Sequence, residues 1–264
     1  MVARRDGFDT VADLYHRVRP RYPDALFATL FSRLPAAPDV VEVGPGTGQA
    51  TGDLLDRGAH VTAVELGANL AAHLHRSYAG RPALQIVVSS FEDAVLPARA
   101  FDAVVAATSY HWVPAPERLE KPARLLRPGG WIGVIDTMQV SAPEDRGFFE
   151  RVQPIYDHHG EPASHPPAAP PDAVVSPIFS ELASSDRYGP PELHRYRWDQ
   201  TYDASTYGDL MRSYSTTMAM GAGKGEALIA DVTGLIDDEF GGQVTRPLVI
   251  TLTMARTPRL GPPA

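Results

Sequence analysis

The sequence predicts an α/β fold with a doubly wound, mostly parallel sheet, and three observations carry that expectation. Five short runs rich in Val, Ile and Ala, near residues 39–43, 60–64, 84–88, 101–106 and 131–136, are almost continuously apolar, as strands covered on both faces must be. Segments of helical character fill the gaps at 48–57, 67–78 and 116–126, an alternation that parallel strands joined by crossover helices produce. The turn after the first strand, Gly44-Pro45-Gly46-Thr47-Gly48, is rich in glycine, and the second strand ends in Glu65. Strand, glycine turn, helix, strand, acid is the order of a nucleotide-binding unit. Glycines let a ligand approach the backbone, and the acid accepts hydrogen bonds from ribose hydroxyls.

Taken in chain order, residues 1–35 read as two helical pieces broken at Pro20 and Pro23, and the second carries Leu26, Phe27, Leu30, Phe31 and Leu34 at helical period. The five strands and three helices follow. After Thr137 the pattern changes: 139–160 starts polar and becomes helical, with Phe148, Phe149, Val152 and Ile155 on one side. Residues 162–177 are dense in Pro and Ala and read as a loop or mobile cover. Residues 192–202 alternate like a strand, 203–220 read as a helix bearing Tyr207, Leu210, Met211, Tyr214 and Met218, 225–240 as another helix, and 245–256 as the last strand. The organisation expected is a single domain: a helical segment at 1–35, a ligand-binding core at 36–138, a helical and loop cover over the active site at 139–225, and a closing helix and strand at 226–264.

The glycine spacing chooses among nucleotides. A dinucleotide fingerprint places its third glycine one position later, where Gln49 stands, and rests a pyrophosphate on the helix N-terminus. Glu42, two residues before the first glycine, suits a ligand carrying an ammonium group better than one carrying phosphates. Adenosine, an amino-acid tail and no phosphate describe S-adenosylmethionine (SAM), whose demethylated product is S-adenosylhomocysteine.

These residues resemble the class I SAM-dependent methyltransferases, specifically a small-molecule branch (methyltransferase type 11) that includes trans-aconitate methyltransferase. The resemblance extends to Tyr15 and Arg19-Pro20-Arg21-Tyr22-Pro23, to Ser90-Phe91-Glu92-Asp93, to Phe101-Asp102-Ala103-Val104-Val105, to Ser109-Tyr110-His111-Trp112-Val113 and to Leu125-Leu126-Arg127-Pro128-Gly129-Gly130. It covers residues 8–137 and thins beyond 138. It implies a Rossmann-like sheet ending in an antiparallel hairpin. It also implies that Gly44, Gly46 and Gly48 line the methionine and ribose, with Glu42 near the tail ammonium, Glu65 on the ribose hydroxyls and Leu66 on the adenine. Ser90 and Phe91 match the positions at the adenine edge and face, with Glu92 an alternative to Ser90, and Ala107 offers its backbone.

Methyl transfer from a sulfonium needs alignment and exclusion of water, plus a base when the acceptor is an alcohol or amine. His111, after the fourth strand, is the candidate base or substrate hydrogen-bonding group; the alternative is a packed histidine that orients its loop. Arg19, between Tyr15 and Tyr22 and held by two prolines, is a candidate for a carboxylate of cofactor or substrate, and Tyr15 and Tyr22 are candidate substrate-binding residues beside it. Trp112, Trp198, Tyr202, Tyr207 and Tyr214 are candidate pocket aromatics, although aromatic residues in such places are more often core than ligand contacts.

Composition bounds the rest. A net charge of −8 without a basic block argues against nucleic acid as the main partner. Cysteine is absent, which removes disulfides, thiolate metal sites and a thiol nucleophile. No apolar run reaches the ~20 residues of a membrane span, and no signal-like segment opens the chain. The expectation is a cytoplasmic protein, monomeric or homodimeric, without membrane or metal, and the Ala-, Arg- and Pro-rich usage suggests a bacterium. Gly221-Ala222-Gly223-Lys224-Gly225 lacks the offset glycine and Ser/Thr of a phosphate loop and reads as a flexible turn. His158, His159 and His165 have no accompanying carboxylates to make a metal site. The expected function is methylation of an O or N of a small metabolite, acidic or from secondary metabolism; the alternative is a SAM-binding protein of this fold with a non-methylating or regulatory role.

Overall fold

The computed structural model describes residues 21–160 and 169–259. Seven strands form one sheet in the order β3-β2-β1-β4-β5-β7-β6. They are β1 (Asp39–Val43), β2 (His60–Glu65), β3 (Leu84–Val88), β4 (Phe101–Ala107), β5 (Leu126–Gln139), β6 (Glu192–Asp203) and β7 (Gln243–Arg256). The first five run parallel, with Val40 opposite both Val61 and Ala103. Backbone bonds link Thr257 to Gly130 and Val140 to Pro247, so the partner number falls as β5 advances and β7 is antiparallel to it. This is the mostly parallel Rossmann-like sheet with an antiparallel end that the sequence predicted.

The chain divides into two compact units. One comprises residues 21–137, 175–196 and 250–264. It holds helices α1 (Asp24–Phe31), α2 (Thr51–Asp56), α3 (Ala68–Ser77), α4 (Ala115–Leu125) and α6 (Pro177–Ala183). Pro23 fixes the entry to α1 and Asp24 supplies an acid in its first turn, while Leu26, Phe27 and Leu30 are fully buried. At the N-terminal ends of the strands, Arg127 bridges Asp102 at 2.6 Å and Asp39 at 2.8 Å, pinning β1, β4 and β5 together. β3 departs from the both-faces-covered expectation. It is the sheet edge, and Val88 is 58% exposed.

The other unit comprises, among the described residues, 138–160, 169–174 and 197–249. Helices α5 (Phe148–His159), α7 (Ala204–Arg212), α8 (Ser215–Ala219) and α9 (Ala222–Phe240) surround a core in which Phe148 meets Tyr207 and Phe240 edge-on at 5.2 and 5.4 Å. Gly208 lets α7 lie against α9: an added Cβ would stand 3.2 Å from Ile229 Cγ2.

Several element predictions are corrected. The helix expected over 203–220 breaks at Tyr214, which takes an extended backbone. The expected turn at 221–225 is instead the start of α9, entered through Gly221 at φ +80°. The fifth strand begins at Leu126, with a register shift before Trp131 that takes up Arg127-Pro128-Gly129-Gly130.

Candidate functional site

The carboxyl ends of β1, β2, β4 and β5 lie side by side, and the chain order reverses between β1 and β4, which is where open α/β sheets form their crevice. After β1, Gly44, Gly46 and Gly48 hold φ of +62°, +59° and +93°, a backbone that side chains with a Cβ resist. The neighbours enforce two of the three. A Cβ on Gly44 would sit 2.8 Å from Ser109 Cβ, and one on Gly48 would sit 2.6 Å from the Tyr78 ring. A Cβ added at Gly46 would meet no described residue within 4 Å, so the open side of the loop is there. Glu65, 5% exposed, reaches from the end of β2 and accepts from Gly46 N at 2.9 Å and from Gly67 N at 2.8 Å. It thereby ties the glycine loop to the β2–α3 turn. Tyr78 OH closes the far side by donating to Gly48 O at 2.7 Å.

Beneath the loop, Glu42 is 1% exposed and accepts from Thr51 Oγ1 at 2.6 Å. Burial raises its pKa to about 7, opposed by the Thr51 bond and assisted by the nearby Glu65 charge. The folded pKa lies above the ordinary value of 4.5, so folding favours the protonated acid. That contribution is complete below pH 4.5 and lost as pH rises to 7, about 3 kcal/mol in all. Glu42→Gln is therefore expected to match the wild-type melting temperature near pH 4.5 and exceed it above pH 7. Wild-type protein that gains stability over the variant across that range would contradict this.

At the end of β4, Thr108 adopts φ +54°, a conformation costing a β-branched residue about 1–3 kcal/mol. It is held there because Thr108 N donates to Ile135 O at 2.8 Å, Thr108 Oγ1 donates to Ala107 O at 2.8 Å, and Tyr22 OH lies 3.2 Å from the same hydroxyl. Ser109 Oγ then donates to Val43 O at 2.5 Å, fastening this turn to β1. His111 follows in a short 3₁₀ turn, its ring exposed and tilted against Trp112 at 4.8 Å. Desolvation lowers the His111 pKa, opposed by the Asp136 carboxylate and assisted by Arg118, so the imidazole is neutral at pH 7. Asp136 stands level with Thr108 one strand over and accepts from the buried Ser176 Oγ at 2.5 Å; burial raises its pKa.

Comparison with known proteins decides what this arrangement is. Residues 41–134, the span from β1 into β5, match the family described as "Methyltransferase domain". Residues 41–134 carry a methyltransferase domain. An uncharacterized methyltransferase of Mycobacterium tuberculosis is 32% identical over 164 residues, 61% of this chain and 64% of that protein, so the match spans under two thirds of its relative's length. A ribosomal RNA small subunit methyltransferase A of Synechococcus is 43% identical over 58 residues, covering 22% of this chain and 21% of its own. A solved structure from Anaeromyxobacter dehalogenans, assigned to the type II methyltransferases, is 25% identical, covers 93% of this chain and 99% of its own, and superposes with a TM-score of 0.56.

Within the methyltransferase domain, Glu42, Gly44, Gly46, Gly48, Glu65 and Leu66 come together around the β1 loop, and Leu66 is half-buried after β2. Ala107 ends β4, its carbonyl taken by Thr108. Two side chains stand differently from expectation. The Ser90 hydroxyl donates to Asp93 at 2.7 Å and accepts from Asp93 N at 3.2 Å, so it builds its own turn. The Phe91 ring is 2% exposed inside the core, with Lys121 Nζ 5.2 Å from its centroid, so its face is unavailable to an adenine. The buried Lys121 ammonium clamps this turn by donating to Glu92 O and Ala94 O at 2.9 and 2.7 Å. Tyr15 and Arg19 lie outside the described residues. Trp198 and Tyr202 belong to the second unit, where Tyr202 is core, edge-on to Tyr207 at 5.9 Å.

Sequence reading passed over Thr51, Tyr78, Thr108, Ser109, Asp136 and Ser176. Asp136 alone had a local signal, an acid ending the apolar run Trp131-Ile132-Gly133-Val134-Ile135. Among the described residues no group of His, Asp or Glu is arranged to hold a metal, and no helix is long and apolar enough to cross a membrane.

Proposed function

We propose that the chain transfers a methyl group from SAM to an oxygen or nitrogen of a small metabolite. The observation that carries this reading is the loop of three left-handed glycines whose open side, at Gly46, is closed from beneath by Glu65. Glu65, an acidic acceptor at the end of β2 beside this loop, is assigned to the two ribose hydroxyls. Glu42 is assigned to the tail ammonium, Leu66 to the adenine, and the backbone of Ser90, Phe91 and Ala107 to the edges of the ligand. The acidic net charge and the absence of a basic block favour a small acceptor over nucleic acid, with the protein acting in the cytoplasm.

His111 is assigned the base: desolvation favours its neutral form, and the Asp136 charge, which acts the other way, favours the imidazolium that proton transfer creates. His111→Ala is expected to lower kcat by about 10²–10⁴ with SAM affinity unchanged. In the wild type, kcat should fall as pH drops through the lowered imidazole pKa. Unaltered turnover in the variant would leave His111 a loop-orienting residue.

Calorimetric titration with SAM and S-adenosylhomocysteine, with NAD as control, tests the cofactor. Binding of both sulfur ligands at micromolar affinity, about −8 kcal/mol, supports it, and binding of NAD alone overturns it. Tight SAM binding without product across a broad acceptor panel would favour the non-methylating alternative.

A further inference from the structure

In the second unit, Arg246 on β7 has no carboxylate within ion-pairing distance among the described residues. Nη1 donates to Tyr214 OH, Nη2 donates to Gln139 Oε1 at 2.6 Å, and Nε is buried with no acceptor. The guanidinium carbon lies 6.0 Å from the ring centroids of Phe149 and Tyr207 and 5.9 Å from that of Tyr214. Tyr207 is fully buried and forms the floor, whereas Arg246, Gln139, Phe149 and Tyr214 keep part of their surface open. Ring faces attract a cation, but they supply no acceptor for its N–H groups, and a desolvated charge without a counter-ion is costly to retain in a fold. Methionine or leucine would fill the same space without that cost. The arrangement is a guanidinium fork with two of its five donors used, set among flat apolar walls, in a protein that otherwise carries net negative charge.

We infer that the Arg246 cage is a binding site for the carboxylate of a flat, unsaturated or aromatic organic acid. The acid's carboxylate takes a spare Nη–H and, with a small shift of the side chain, the unpartnered Nε–H, and its planar body lies against the partly open Phe149 and Tyr214. The site stands on the second unit alone and does not depend on the methyltransferase reading.

The test uses the full chain and two acids, benzoate and cinnamate, with benzamide, cinnamide and inorganic phosphate as controls, read by thermal shift and calorimetry. The acids are expected to bind and raise the melting temperature, and the amides and phosphate are not. Arg246→Met should weaken acid binding by roughly ten- to hundredfold while leaving SAM binding unchanged. Arg246→Lys, which keeps the charge and loses the fork, should bind the acids more weakly than wild type, and it decides the matter if Arg246→Met does not fold. Equal binding of acid and amide, equal binding of phosphate, or no binding of either acid at roughly 10 mM would overturn the inference. So would acid binding undiminished in the variants. Failure of SAM to bind wild-type protein would strike the methyltransferase reading instead, leaving the acid titration to stand separately.

Discussion

Replacing Glu65 with alanine is expected to abolish measurable SAM binding and to cost about 3 kcal/mol of fold stability. The two losses have one origin. Glu65 is buried and holds Gly46 N and Gly67 N, so its removal strands two backbone donors, each costing about 1–3 kcal/mol when left without an acceptor. The same carboxylate is the proposed partner of both ribose hydroxyls, and bonds to a charged acceptor contribute about 1.5–3 kcal/mol apiece, enough for a hundredfold loss of affinity or more. Glutamine is no rescue: its amide oxygen can serve one backbone N–H, but its NH₂ group then faces the other donor to donor. Losing the Glu65 charge also relieves Glu42 of a like-charged neighbour, so the Glu42 pKa should fall slightly. Denaturant unfolding and calorimetry on Glu65→Ala and Glu65→Gln check both effects. A stable Glu65→Ala protein that binds SAM as wild type does would overturn both the loop's dependence on this residue and the cofactor assignment.

The second large effect separates the glycines of one loop. Gly48→Ala is expected to destabilise the fold by about 3 kcal/mol: about 1–2 for a Cβ in the left-handed region and about 1–3 for overpacking. The overpacking is specific, since the new Cβ would fall 2.6 Å from Tyr78 and 2.7 Å from Leu74. Tyr78 cannot simply swing away, because its hydroxyl donates to Gly48 O. Gly46→Ala has the same backbone penalty, about 1–2 kcal/mol, and no steric one from the described residues. It should fold almost normally yet bind SAM far more weakly, because its methyl group occupies the space left for the ligand. Melting curves beside SAM titrations of the two variants make the comparison. Equal stability losses, or Gly46→Ala protein with full affinity, would contradict this division of roles.

How much of this was legible in the sequence depended on distance along the chain. The parallel core strands, the glycine turn and the acid ending β2 are local patterns: a nearly continuous apolar run, a spacing of glycines, a charge at a strand end. Each follows from what one short segment must do with its own backbone, so Glu42, Gly44, Gly46, Gly48 and Glu65 could be assigned before any neighbour was known. Gly221 to Gly225 shows the limit of composition. Glycine at the first position serves as a helix entry at φ +80°, and the next four residues are the start of α9.

What the sequence by itself determined, then, is the α/β sheet, its order of elements and the glycine loop proposed to meet the cofactor. Only the tertiary structure decided which side chains share an environment. Phe91 turned into the core under Lys121, the Ser90 hydroxyl was spent on Asp93, and Asp136 came level with Thr108 and close enough to act on His111. Arg246 was likewise brought to Gln139 and Tyr214, 107 and 32 positions away. The physical reason is that backbone conformation answers to a residue and its immediate neighbours, whereas burial, partners and pKa answer to whatever the fold stacks alongside, and no periodicity in the chain records that.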